Sequence, residues 1–159
     1  MITQSELKSL LMYDPITGVF KKKFKNGNIR SVGWDCGNGY FRVKVKDRIY
    51  LAHRLAWLYV YGSYPSLEID HINRNPSDNR ISNLRLASSS ENKRNTARNS
   101  ANTSGFKGVS FHKRRNLWQA TIRCNGKQIH LGYFNNPEDA YSAYCDKANF
   151  VFGEFANFG

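Results

Sequence analysis

Leu67-Glu-Ile-Asp-His-Ile-Asn-Arg-Asn-Pro-Ser-Asp-Asn-Arg-Ile-Ser-Asn-Leu-Arg-Leu-Ala-Ser-Ser-Ser-Glu-Asn92 is the stretch on which the reading of this chain turns. It reads as strand, polar loop, strand, helix. Leu67 and Ile69 alternate with Glu68 and Asp70, the period of a half-buried strand. From Asn73 to Asn79 the residues are Asn, Arg, Pro, Ser and Asp, which is turn chemistry. Leu84 and Leu86 alternate again around Arg85. Ser88-Ser-Ser-Glu91 fits a capping box, in which a serine hydroxyl takes an orphan amide and the glutamate reaches back. Asp70 and His71 then end one strand, and Asn92 falls in the first turn of a helix.

Such an arrangement can hold a metal ion with a base beside it. Asp70 offers a carboxylate oxygen and Asn92 an amide oxygen. Oxygen ligands suit a hard divalent ion, magnesium or manganese, which keeps several waters and shares its shell with phosphate. His71 follows Asp70 directly, so its side chain points to the other side of the strand unless the strand ends there. A neutral imidazole there can take a proton from water attacking phosphorus. The cation stabilises charge on the phosphate and the leaving oxygen.

Asp70-His71, Asn83 and Asn92, at this spacing, resemble the HNH endonucleases, specifically the ββα-metal group of phages and introns. Ala52-His-Arg-Leu-Ala-Trp57 upstream resembles the same subgroup. The resemblance implies that His71 is the general base, that Asn83 braces the loop and the base, and that Asp70 and Asn92 are the metal ligands. The last position is often His in that family; Asn is a variant within the group and fits a hard cation better than zinc. Taken singly, each residue has an ordinary reading as a strand-end, turn or exposed helix residue. Their joint spacing inside one strand–loop–strand–helix favours the chemical one.

The chain has 159 residues, 40% hydrophobic and 14% aromatic, enough for one domain or two small ones. No apolar run approaches a membrane span, and the first residues lack a signal-peptide pattern. Cys36, Cys124 and Cys145 are far apart and odd in number, indicating neither a disulfide framework nor a zinc knuckle. The expected setting is a reducing cytoplasm, that of the host if the chain is phage-encoded. A net charge of +12 argues for a polyanionic partner. Double-stranded DNA fits best, because the cations recur along the whole chain. Anionic lipid fits less well, since no basic amphipathic helix is evident.

Residues 1 to about 16 read as a short helix capped by Thr3 or Ser5 and ended by Asp14-Pro15. Phe41, Val43 and Val45 alternate with Arg42, Lys44 and Lys46, a strand with one buried and one positive face. That positive face is either solvated or a phosphate contact. Ala52 to Tyr61 reads as a buried helix. Its His53 could touch phosphate, back the metal site or be structural. The helix from Ser88 carries Lys93, Arg94 and Arg98, cations for phosphates, and Asn95 to Ser104 has linker composition.

The last third reads as a second unit: strands over 108–112, 117–123 and 128–131, then a helix opened by Pro137-Glu-Asp. Gly108-Val109, Trp118-x-Ala-x-Ile122, Leu131-Gly-x-Phe134, Glu138-Asp-Ala140-x-x-Ala143-Tyr144 and Ala156-Asn157-Phe158 resemble the plant ethylene-response-factor (AP-two) DNA-binding domain. The resemblance implies a sheet lying in the major groove. By position its reading face would hold Ser110, His112, Arg114 or Arg115, Gln119, Thr121, Arg123, Gln128 and His130. Most differ from the plant residues, so the target sequence does not transfer. Trp118 and Ile122 alternate with that face and are expected in the core.

The expected class is α+β. An N-terminal antiparallel sheet (1–50, DNA-contacting) leads into a ββα-metal nuclease core (51–98). A linker (99–104) joins it to a three-stranded antiparallel sheet backed by one helix (105–159). The expected function is a metal-dependent DNA endonuclease of the homing type that nicks a phosphodiester. The alternative is a DNA-binding regulator whose nuclease fold does not cut.

Overall fold

The computed structural model describes residues 1–37, 39–95 and 101–159. The fold is α+β, and the chain divides into Met1–Ser89 and Ser90–Gly159. Arg98 and residues 99–100 of the expected linker lie outside the described residues.

The first unit opens with α1 (Gln4–Leu10), capped as a box: the Thr3 hydroxyl accepts from the Glu6 amide while the Glu6 carboxylate takes the Thr3 N–H. The helix is shorter than expected. Leu11 is already extended, and Met12–Asp14 forms β1, paired antiparallel with β2 (Val19–Lys23) and through it with β3 (Ile29–Ser31). Core burial decides this, since the Tyr13 and Phe20 rings meet there at 4.8 Å between centroids. A second small sheet has the order β4 (Trp34–Asp35), β5 (Phe41–Val45), β6 (Arg48–Leu51). Val43 and Val45 point inward and Arg42 and Lys44 outward, as the alternation implies. Lys46 has already left the strand, at φ 53°, and pairs with Glu6 at 2.9 Å.

Helix α2 (Ala52–Tyr61) buries Ala52, His53, Leu55, Ala56 and Leu58. Gly62 ends it in the left-handed region, its N–H returning to the Leu58 carbonyl at 3.0 Å. One core runs from Leu7 and Phe20 through Val43 and Leu55 to Ile69 and Leu84. The expected break near residue 50 therefore has no counterpart in the packing. Small sheets must bury one face against another element, and α2 is packed into the same core as both. Strands β7 (Glu68–His71) and β8 (Leu84–Ala87) pair antiparallel and carry the chain to α3 (Ser89–Arg94).

In the second unit, β9 (Val109–His112), β10 (Leu117–Cys124) and β11 (Lys127–Phe134) form an antiparallel sheet with β10 in the middle. Helix α4 (Pro137–Phe152) covers one face. Asn136 caps α4 by accepting the Asp139 amide at 2.8 Å, and Pro137 sits in the first turn. Val109, Ala120 and Ile122 meet Ala140, Tyr144 and Ala148 between sheet and helix, with Trp118 packed alongside. Gly108, at φ 76°, admits no side chain, because a Cβ there would run into the Tyr144 ring. The 101–104 part of the expected linker is structured: Asn102 and Ser104 bond the carbonyls of Phe106 and Val109. Their short polar side chains hold this loop against the start of β9.

Candidate functional site

Asp70 and His71 close β7, opposite Arg85 and Leu84 of β8. The expected alternation fails here, because Ile69, Asp70 and His71 are all buried and Leu67 lies outside the strand, half exposed. Asp70 is 4% exposed, and a buried carboxylate needs a partner. Arg85 provides it: its Nε donates to Oδ2 at 2.8 Å, and Nη2 forms an ion pair with the same oxygen at 2.7 Å.

The His71 imidazole, 5% exposed, lies among aromatic rings. The His53 ring meets it edge to face with centroids 5.2 Å apart, and Tyr40 stands 6.0 Å from His71 and 5.6 Å from His53. Burial pushes the His71 pKa below the usual histidine value, against the opposite pull of the Asn79 side chain, Asp70 and Asp78. Burial pushes His53 further, to about 3, helped by His71 and Arg54. Both imidazoles are therefore neutral near pH 7, the state a general base needs. His53 belongs beside the candidate base, a place its own sequence position only suggests.

The loop between β7 and β8 is tied from within. The Asn83 amide donates to Asn73 Oδ1 and to the Asp78 carbonyl, both at 2.9 Å, and its Oδ1 accepts the Asn73 N–H at 2.9 Å. The Asn83 carbonyl takes the Ile72 N–H at 2.9 Å. Asp78 holds Arg80, and that bonding sets its carboxyl down to about 2. From outside, the buried Tyr13 hydroxyl donates to the Asn79 carbonyl at 2.7 Å. Ser77 Oγ donates to the Gly39 carbonyl at 2.6 Å. The N-terminal strands thus clamp the loop that carries Asn79, a role composition alone does not signal.

Asn92 lies on α3 in the second unit, whereas Asp70 lies in the first. Among the described residues no group of three or more His, Cys, Asp and Glu gathers for a metal. The donor chemistry of Asp70 and Asn92, a carboxylate and an amide oxygen, suits a hard divalent ion. The Arg85 guanidinium already holds one Asp70 oxygen.

The outer face of the second unit's sheet collects the expected reading residues. Ser110 stands opposite Gln119, Thr121 opposite His130, and Arg123 opposite Gln128. Gln119 Nε2 donates to Ser110 Oγ at 3.0 Å. Arg114 and Arg115 occupy the exposed turn before β10. Tyr133 is the residue the sequence reading omits. His112, His130 and the Arg115 guanidinium gather around its ring at 5.2, 4.5 and 4.7 Å. Arg42 and Lys44 stay exposed on β5, while Lys93 and Arg94 sit on α3.

Residues 50–94, which span α2 through α3, match the family model described as HNH endonuclease. Over 77 residues the chain is 42% identical to "Protein 3.8" of Escherichia phage T7, covering 48% of this chain and 64% of that protein. Over 106 residues it is 34% identical to "Uncharacterized HNH endonuclease L560" of Acanthamoeba polyphaga mimivirus, covering 65% of this chain and 54% of that one. Each match spans less than two thirds of the relative's length. No solved structure matches the chain. No described helix is long and apolar enough to cross a membrane.

Proposed function

We propose that the chain is a metal-dependent DNA endonuclease of the HNH homing type. It nicks a phosphodiester at a site held by its AP-two-like sheet. The observation that carries this reading is a buried, neutral imidazole, His71, fixed beside Asp70 within the segment that matches the HNH model. His71 takes the proton from the attacking water. Asn83 keeps the loop beside it in one conformation. Asp70 and Asn92 would hold magnesium or manganese, which when bound stabilises charge on the phosphate and the leaving oxygen. The exposed cations Arg42, Lys44 and Lys46 contact phosphates. The sheet face from Ser110 to His130 reads the duplex.

A plasmid-nicking assay tests the reading. His71→Ala abolishes nicking while binding in a gel shift survives; a variant that cuts at full rate removes His71 as the base. EDTA stops the parent chain, and magnesium or manganese restores it. The Arg85–Asp70 pair favours one second reading, a DNA-binding regulator that does not cut. Gel-shift binding without nicking across many DNAs would decide for the regulator.

A further inference from the structure

The second unit contains a groove of about 480 Å³ that shares Thr121, Arg123 and Gln128 with the sheet face and extends beyond it to α3 and α4. Lys93 and Arg94 of α3, Lys107 and Arg123 line it, together with Tyr144 and Phe152 of α4. Among the described residues no Asp or Glu lines it. The groove follows from the strand register. Pairing of β9 with β10 ends at Val109 opposite Ala120, and the Thr121 N–H then reaches the Gly108 carbonyl. Past that point β9 no longer covers the edge of β10.

The cations around this edge are positioned by their own contacts. Lys107 Nζ donates to the Arg94 carbonyl at 3.1 Å. The Arg94 guanidinium lies 4.6 Å over the Phe152 ring and donates to Ser90 Oγ at 3.1 Å. Asn157 donates to the Asn95 carbonyl at 2.8 Å, tying the chain's last residues to the end of α3. Fixed cations alone would suit any anion. Here they stand beside the half-buried Phe152 ring, a mixture that fits a nucleic-acid backbone: phosphate against the ammonium and guanidinium groups, sugar against the edge of the ring.

We propose that this groove binds the sugar–phosphate backbone of one DNA strand, as an extension of the sheet face with Thr121, Arg123 and Gln128 shared between them. The proposal rests on the DNA-binding reading above. Since phosphate contacts carry no sequence information, Lys93, Arg94 and Lys107 add affinity and register without adding specificity.

The test is fluorescence anisotropy of the full chain with a labelled duplex of arbitrary sequence, titrated over a range of salt. K93A/K107A is compared with the parent and with a charge-matched control, K8A/K147A. The groove variant is expected to bind about tenfold more weakly, with a salt slope shallower by about 2. The control should keep the parent's slope. If the groove variant melts early, K93E, which leaves the Lys107–Arg94 bond in place, replaces it and should show a loss of similar size. A parent that binds while the groove variant matches it overturns the groove and leaves the DNA-binding reading standing. Equal losses in both double variants also overturn it, since diffuse charge would then account for binding. A parent that binds no DNA removes both readings.

Discussion

The rings of His53 and His71 meet edge to face at 5.2 Å, two imidazoles from α2 and β7 buried against each other. Neither can be protonated cheaply in the fold. For His53 the folded pKa, about 3, lies below the unfolded value near 6.5. Between those values the unfolded chain holds a proton that the folded chain lacks, so stability rises with pH across that window. His71 shifts in the same direction and adds to the slope. Urea unfolding should therefore show stability falling from pH 7 toward pH 4, by up to about 1.4 kcal/mol per pH unit per group. His53→Gln should flatten the curve. A profile that is level for the parent chain, or unchanged in the variant, would contradict the burial of a neutral His53.

Arg85 neutralises Asp70 where water cannot, so the two substitutions differ in consequence. Arg85→Ala leaves a carboxylate buried without its guanidinium and should cost about 3–5 kcal/mol. Asp70→Asn in the Arg85→Ala background removes the stranded charge and should recover part of that loss. A double-mutant cycle by chemical denaturation reads the coupling. Additive losses would show that the pair contributes little.

Much of this centre is legible in the sequence because its parts are local. Asp70, His71 and Asn83 lie within one strand–loop–strand, whose order the apolar runs and turn residues mark without tertiary information, although the strict alternation fails at Asp70 and His71. The partners brought by long-range packing are less legible. Arg85 shows as a strand residue, but its pairing with Asp70 depends on register. Tyr13 is 66 residues from the carbonyl it bonds. Strict alternation from His130 would place residues 132 and 134 on the outer face. The register shift between Ala120 and Thr121 leaves Leu131 unopposed, and Tyr133 lands there instead.

The bond from Tyr13 to the Asn79 carbonyl links the N-terminal strand to the side chain lying against His71. Tyr13→Phe keeps the ring packing and removes only the hydroxyl. The stranded carbonyl should cost about 1–3 kcal/mol. A loosened Asn79 should also lower the turnover of nicking while leaving KM for DNA unchanged. A variant with normal turnover and a lowered melting temperature would confine Tyr13 to stability.

On the sheet face, the Arg115 guanidinium lies 4.7 Å over the Tyr133 ring. If Arg115 reads a base, Arg115→Ala should weaken binding to the preferred site by about 1–3 kcal/mol, and should weaken binding to unrelated duplexes much less. Tyr133→Leu removes the ring that orients the guanidinium, a contact of about 0.5–1 kcal/mol at an exposed site. Because the tyrosine acts through the arginine, the double variant should lose little more than Arg115→Ala alone. Binding isotherms of the two single variants and the double variant on a selected site check this. Fully additive losses would mean that Tyr133 meets the DNA on its own account, and an Arg115→Ala variant that keeps its sequence preference would move base reading to other residues of the face.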